Sequence, residues 1–153
     1  MTTPGTKQAQ PSTTQTPAQE QRYTVKVFFV KIDDNGKTGR KIGCNDSLIP
    51  VTRSVVSKDS ALKVALTELL TKKDGEPGLY NVFTQSDLTV ENAILENGKA
   101  TIYLKGTYSF GGVCDTPRFK EQLIETAKQF GDVKDVSFFI NNIPLDKALS
   151  AKG

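Results

Sequence analysis

Two helix-forming segments, each apolar along one side only, limit the folds that this chain can adopt. In "SKDSALKVALTELL" the leucines recur at helical spacing, which predicts a helix over about 59–71. In "TPRFKEQLIETAKQF" Phe119, Leu123 and Ala127 fall on one side, and Thr116 predicts the N-cap of that helix. A helix with one apolar side needs a surface to cover, so we expect both helices on one face of a β-sheet.

The other apolar segments are typical of strands. "YTVKVFFVKI" is rich in β-branched and aromatic residues, and "VKDVSFFIN" predicts a last strand. "LTVENAILENGKATIYLKG" predicts a hairpin, because Asn97-Gly98 suits a two-residue turn with positive φ. Pro50 makes "LIPVTRSVV" an edge or irregular strand. Without that piece the order is β-α-β-β-α-β, which predicts an α+β two-layer sandwich with two helices packed on one face of a small sheet.

The composition changes sharply near the start of the folded part. Residues 1–22 are mainly Thr, Gln, Pro and Ala, so we expect a disordered linker there, followed by one domain over 23–149 and a flexible tail over 150–153. Linkers of this type often join a membrane anchor to an extracytoplasmic domain. No apolar run approaches the length of a bilayer span, so we expect a soluble domain whose membrane tether lies outside this chain.

The composition disfavours several classes of function. The 153 residues include no histidine, which removes the commonest general base and the commonest zinc ligand. A net charge of +3, with both signs spread along the chain, disfavours nucleic acid as a partner. No pair of carboxylates is placed across a cleft by sequence alone. The aromatic residues are expected in the core, and they include Phe28, Phe29, Tyr103, Phe119, Phe130, Phe138 and Phe139.

The polar loop after the first strand contains two short motif fragments. "GKT" at Gly36–Thr38 lacks the earlier glycine and the following helix of a phosphate-binding loop. "DDNG" at Asp33–Gly36 lacks a calcium loop's first and last ligands, since Lys31 and Ile42 occupy those positions. The loop is therefore predicted to be a solvated turn, and we expect no metal and no cofactor.

Cys44 and Cys114 are the two cysteines of the chain, and each lies in a loop that contains glycine. Three states are open to them: a disulfide, two free thiols, or a reactive thiol at Cys114 beside a helix N-terminus. Asp115 next to Cys114 disfavours a thiolate, because a neighbouring carboxylate opposes a second negative charge. We favour the Cys44–Cys114 disulfide, which implies an oxidising compartment.

The order of these segments resembles that of GerM domains, which occur in sporulation, spore germination and other bacterial envelope proteins. The resemblance covers most of 23–149 and is carried by "VKVFFV", "PVTRSVV" with Arg53, "ALKVALTELL", "NGKATIYL", "FKEQLIETAKQF" and "VKDVSFFINNIPL". "LLTKKDGEPG" departs from the family's usual "L-x-G-P". "GGVCDTPRFK" resembles the members that have paired cysteines.

The resemblance implies a fold similar to ring-building motifs and a domain tethered outside the cytoplasmic membrane, often as a lipoprotein. It brings no catalytic residues, so we expect a non-enzymatic interaction or assembly module of the cell envelope. Its partners would be envelope proteins, or a second copy met through a sheet edge. Two alternatives are binding of a small ligand or cell-wall fragment near the 72–87 loop, and thiol chemistry at Cys114.

Overall fold

The structure is a computed structural model, and it describes residues 19–71 and 76–152, without the side chains of 151 and 152. These residues form two sheets and three α-helices. The strands are β1 (Gln21–Lys31), β2 (Arg40–Ile42), β3 (Asp46–Ser57), β4 (Asp87–Glu96), β5 (Lys99–Thr107), β6 (Asp135–Ile140) and β7 (Ile143–Pro144). The helices are α1 (Ala61–Thr71), α2 (Asp115–Lys128) and α3 (Leu145–Lys152).

The two sheets have different connections. The first has the order β1-β3-β2 and is antiparallel throughout. The second has the order β4-β5-β6-β7, in which β5 and β6 are parallel and the other pairs are antiparallel. Asn97 and Gly98 have φ of 52° and 81°, so the β4–β5 turn has the positive φ that the sequence predicted. The α+β class and the order β-α-β-β-α-β are confirmed, with β2, β3, β7 and α3 added to that order.

One apolar core joins both sheets to the helices. The side of α1 that bears Leu62, Leu66 and Leu69 and the side of α2 that bears Phe119 and Leu123 both enter it, as helical spacing predicted. Burial of these sides against the sheets is the main force that holds the two layers together. The sheets contribute buried residues that include Phe29, Leu88, Ala100, Ile102, Leu104, Phe138 and Ile140.

Strand β3 is longer and more regular than Pro50 led us to expect. Apart from Asp46, it pairs with β1 along its length, from Lys31↔Ser47 to Gln21↔Ser57. The pairing with β2 covers only Asp46 to Leu48. Pro50 is tolerated because it lies just beyond β2, on a part of β3 that has one strand neighbour among the described residues.

Three boundaries differ from the sequence expectations. Helix α2 has Cys114 as its N-cap and Asp115 in its first turn, so the prediction of Thr116 as N-cap was wrong. Strand β1 begins at Gln21, and most of the predicted 1–22 linker lies outside the described residues. Helix α3 follows the short β6–β7 hairpin and continues to Lys152, and its Leu145 and Leu149 pack into the core.

Tyr103 and Phe139 were wrongly expected in the core. They lie on the other face of the second sheet, where their rings stack with centroids 5.1 Å apart. Both side chains are half-buried, and both alternate along β5 and β6 with buried residues such as Ile102 and Phe138. The period of two in a strand places them away from the helices.

Candidate functional site: the disulfide junction and the free sheet edges

The two cysteines meet where the β2–β3 connection contacts the start of α2. Cys44 lies in a short 3-10 turn, Gly43–Asn45, and Cys114 is the N-cap of α2. The two Sγ atoms are 2.03 Å apart and the Cα atoms 5.8 Å apart, so the structure joins them in a disulfide. Both sulfurs are bonded, so neither cysteine has the free thiolate that the reactive-thiol alternative requires.

Cys44 and Asn45 also have an unusual backbone. Their φ angles are 64° and 62°, in the left-handed region that non-glycine residues seldom adopt. The turn is held by its surroundings, since the backbone N–H of Asn35 donates to the carbonyl of Asn45 over 2.7 Å. The disulfide is one of several contacts that keep this turn against α2.

A buried ion cluster lies beside the disulfide. Arg118 on α2 donates through Nε to Asp46 Oδ2 over 2.6 Å and through a terminal nitrogen to Asp115 Oδ1 over 3.0 Å. The side chains of Asp46 and Asp115 are 0% and 2% exposed, and that of Arg118 is 14% exposed. Burial lowers the pKa of Arg118, but its hydrogen bonds to the two carboxylates outweigh burial and the pKa is raised overall.

Tyr80 extends the cluster towards the surface. Its hydroxyl donates to Asp115 over 3.0 Å, and the guanidinium of Arg118 lies 5.2 Å from the centre of its ring. Asp115 also accepts from the backbone N–H of Gly111 over 2.6 Å. Burial, and then the hydrogen bond to Asp115, raise the pKa of Tyr80 above its usual value. The cluster thus ties α2, the start of β3 and two loops together.

We expect the raised pKa of Tyr80 to weaken the fold at alkaline pH. Above about pH 10 an unfolded tyrosine loses its proton while the folded one keeps it, so the stability present below that pH falls as pH rises further. Tyr80→Phe should reduce this loss, measured as the difference in unfolding free energy below and above about pH 10. Burial also raises the pKa of Tyr108, and this tyrosine remains in both proteins as an internal reference. Equal losses in the two proteins would contradict the prediction.

An open cavity of about 340 Å³ lies over the ion cluster. It is lined by Tyr80, the Gly111–Asp115 segment and Arg118. Tyr80 belongs to the 72–87 loop, beside which a ligand cleft was predicted, and residues 72–75 of that loop lie outside the described part. The charge of Arg118 is matched by two carboxylates, so the cavity offers no uncompensated cation for an anionic ligand. Ligand binding there stays a prediction.

The carboxylate of Asp34 holds the "DDNG" loop in place by hydrogen bonds. Asp34 accepts hydrogen bonds from the backbone N–H of Thr38 over 2.7 Å, from the Thr38 hydroxyl over 2.8 Å and from the Ser47 hydroxyl over 2.9 Å. The backbone bond from Thr38 is the main cause of a lowered pKa for Asp34. Over the described ranges, no three His, Cys, Asp or Glu side chains are grouped to hold a metal ion.

Part of one edge of the first sheet is covered by side chains of α2 and of its C-cap, Gln129. Gln129 donates to the Lys26 carbonyl over 2.6 Å and accepts from the Lys26 N–H over 2.8 Å. Thr126 accepts from the Phe28 N–H, and Gln122 donates to the Phe28 carbonyl over 2.8 Å. These bonds replace a neighbouring strand at Lys26 and Phe28, so this part of the β1 edge is satisfied.

Gln122, like Thr126, is fully buried, with 0% exposure. Besides the Phe28 carbonyl, it bonds the backbone N–H of Val82 over 3.2 Å and the Asn81 side chain over 3.1 Å. Gln122→Leu should leave buried backbone groups unpaired and lower the unfolding free energy by about 1–3 kcal/mol. Gln129→Leu, at a more exposed position, should lower it less. Urea unfolding of both variants measures the difference, and equal losses would contradict this role for Gln122.

The opposite edge of the first sheet is open. The peptide groups of Lys26 and Phe28 point to α2, so the alternating residues Val25 and Val27 bond to β3. Val25 and Val27 face Arg53 and Val51 of β3, so these two residues of β3 bond to β1. Because bonding alternates along a strand, the even-numbered residues of β3 point their peptide groups away from β1. The outward set comprises Asp46 and Leu48, which pair with β2, and Pro50, Thr52, Ser54 and Val56, which pair with no described strand.

The edges of the second sheet are shorter or bent. Strand β4 has a bulge at Glu91, where the register to β5 shifts between Val90 and Asn92. Its far end borders an apolar groove of about 330 Å³ beside the start of α1. Strand β7 covers the end of β6 at Phe139 and Ile140, and a groove of about 240 Å³ lies between the rest of β6 and α2. The edge of β3 is therefore the longest straight edge without a strand partner in the described structure.

Comparison with known proteins gives the family. The family model described as "Germane: Sporulation and spore germination" matches residues 26–146, which is most of the chain. The chain belongs to the Germane family. The predicted resemblance to GerM domains is confirmed. No helix among the described residues of this Germane domain is long and apolar enough to cross a membrane.

Two solved structures from Bacillus subtilis have a similar fold. The first GerMN domain of the sporulation protein GerM matches with 17% identity and a TM-score of 0.58, over 80% of this chain and 85% of that one. The tandem GerMN domains of the same protein match with 17% identity and a TM-score of 0.56, over 78% of this chain. The Germane domain spans only 39% of that tandem chain. No curated protein matches the sequence significantly.

The structure places the residues that sequence analysis singled out in different roles. Cys44 and Cys114 lie together at the α2 junction. Arg53, from the "V-x-R-x-V" piece, lies 5.7 Å from the ring centre of Phe29 and pairs with Glu76 over 2.9 Å. Sequence reasoning missed the Asp46–Arg118–Asp115 cluster. The one local sign of it was an aspartate three residues before an arginine in a predicted helix, which is a common pattern.

Proposed function

We propose that this Germane domain is a non-enzymatic interaction module that works outside the cytoplasm and docks through the free edge of β3. The observation that carries this proposal is the row of outward peptide groups at Thr52, Ser54 and Val56. These groups have no strand partner among the described residues, whereas side chains of α2 and of its C-cap bond Lys26 and Phe28 on the other edge of the same sheet. An open edge of this kind binds another strand by main-chain hydrogen bonds.

The chemistry of the described site supports a binding role over catalysis. The chain has no histidine, and both cysteines are in the disulfide. The buried carboxylates Asp46 and Asp115 are held by Arg118, an arrangement that fixes the fold. These groups act as structural ties between α2 and the start of β3.

The disulfide supports an extracytoplasmic location, because such bonds persist in oxidising compartments. The resemblance to GerM domains, which implies a domain tethered outside the cytoplasmic membrane, agrees with this location. In the native host, alkylation of unreduced, denatured protein should modify neither Cys44 nor Cys114. Two modified thiols per chain would contradict this location.

Photocrosslinking in the host tests the docking role. A benzophenone amino acid at Thr52, on the free edge, should yield a discrete adduct. The same probe at Lys99, exposed at the start of β5, is the matched control and should yield none. An adduct pattern that is the same at both positions, or no adduct at Thr52, would overturn docking through β3.

A further inference from the structure

We infer that the partner of the β3 edge is a second copy of this chain, paired antiparallel about a two-fold axis at Ser54. This inference rests on the proposed docking role and names its partner. Two identical strands related by a two-fold axis run antiparallel. If one residue faces a second residue of the partner, the second residue also faces the partner's copy of the first. A β3–β3 pair would join the two three-stranded sheets into one continuous sheet.

The outward peptide groups of β3 fit this register. With the axis at Ser54, Ser54 faces the partner's Ser54, and Thr52 faces the partner's Val56. All of these residues point their N–H and C=O groups away from β1. Each opposed pair then exchanges two hydrogen bonds. Pro50, which has no N–H, falls outside these pairs.

Charge and the end of the strand distinguish this register from its two neighbours. A shift that moves the axis to Arg53 opposes the two arginines and places Pro50 against the partner's Val56, so a donor is missing and like charges meet. A shift to Val55 opposes Thr52 to the partner's Lys58, which lies beyond the end of β3. With the axis at Ser54, Arg53 faces the partner's Val55 and keeps Glu76 as its own counter-ion at 2.9 Å.

The same register accounts for an exposed apolar side chain. Val56 is 47% exposed, although it lies in a regular strand. Its neighbour across β1 is Arg22, which bonds to Ser54, so no apolar group of β1 covers it. In the pair it would lie against Thr52 of the partner subunit, and β-branched cross-strand pairs of this kind stabilise sheets.

Charge exchange at Ser54 tests the axis directly, because this residue faces itself only when the axis passes through it. Sedimentation velocity over a range of concentrations should show a reversible dimer of the wild-type chain. Ser54→Glu and Ser54→Lys should each weaken that dimer about tenfold or more, and an equal mixture of the two should recover it. Thr24→Glu and Thr24→Lys are the matched controls, since Thr24 lies opposite Ser54 on β1, one strand further from the axis. These controls should dimerise like wild type.

Ser54→Pro gives a second, independent readout. The Ser54 N–H points away from β1, so proline removes a donor to the partner without removing a bond of the β1–β3 ladder. Circular dichroism should show a folded monomer. A dimer that survives this change, or charge variants that do not recover on mixing, would overturn the β3–β3 pairing.

A wild-type chain that stays monomeric at every concentration would also overturn it. In that case the crosslinking experiment decides separately whether the β3 edge docks another partner. It stands if the Thr52 probe crosslinks to a different envelope protein in the host, and it falls with the dimer if that probe yields no adduct.

Discussion

Arg118→Leu should destabilise the domain by about 3–5 kcal/mol, because it leaves two buried carboxylates without their counter-ion. Asp46 keeps one hydrogen bond, from the backbone N–H of Asp33 over 3.0 Å. Asp115 keeps its bonds to Tyr80 and Gly111. These neutral donors hold the carboxylates in place but do not neutralise them, so most of the loss remains.

Arg40→Leu is the matched control for this effect. Arg40 pairs with Glu121 over 2.7 Å, but the two side chains are 50% and 32% exposed. Water and salt screen such a pair, so its loss should lower the unfolding free energy by no more than about 1 kcal/mol. Urea unfolding of both variants measures the contrast. An Arg118→Leu protein as stable as Arg40→Leu would contradict the role of the buried cluster.

A second substitution separates charge from packing. Asp46→Asn in the Arg118→Leu background removes one of the two uncompensated charges and should restore part of the lost stability. Asp46→Asn alone should destabilise, because Arg118 then loses the carboxylate that Nε bonds. The double variant should therefore be more stable than the sum of the two single losses predicts. Simple additivity would contradict a direct Asp46–Arg118 coupling.

Removal of the disulfide should have an effect of similar size by a different route. The bridge closes a loop with a sequence separation of 70, so in the chain-entropy model it stabilises by about 4 kcal/mol through the unfolded state. Cys44→Ser with Cys114→Ser should lose this amount. The ion cluster stays in place in the folded state and does not restrict the unfolded chain.

The wild-type protein under reducing conditions is the control for the double cysteine variant. Its unfolding free energy should fall to that of the variant, and the variant should not respond to reductant. The denaturant dependence should also be steeper for the open chain, since an unfolded state without the bridge exposes more surface. An unfolding free energy that reductant leaves unchanged would contradict a stabilising Cys44–Cys114 bridge.

Local signals in the sequence predicted most of the elements. The helices follow from the spacing of leucines and of Phe119 and Leu123, and the β4–β5 turn follows from Asn97-Gly98. Helix α3 was missed because "NIPLDKALSAKG" is short and has few apolar residues. Its docking depends on Leu145 and Leu149 meeting a core whose shape the sequence does not show.

The site depends on contacts between distant residues, which is why much of it could not be predicted. Asp46 and Arg118 are 72 positions apart, and no local pattern marks them as partners. Lys26 and Phe28 on the edge of β1 are bonded by the amide side chains of Gln129 and Gln122, about 100 positions away. Pro50 did indicate an edge strand, but which part of β3 is open depends on where β2 ends. The pairing of Cys44 with Cys114 was the simplest choice for two cysteines.

Amide hydrogen exchange, followed residue by residue, tests docking through β3 most directly. In the dilute domain the amides of Lys26 and Phe28 should be protected, because Gln129 and Thr126 accept from them, while those of Thr52, Ser54 and Val56 should exchange fast. When the domain associates with a second copy or another partner, those three β3 amides should become protected together. Association that leaves their exchange unchanged would contradict the account.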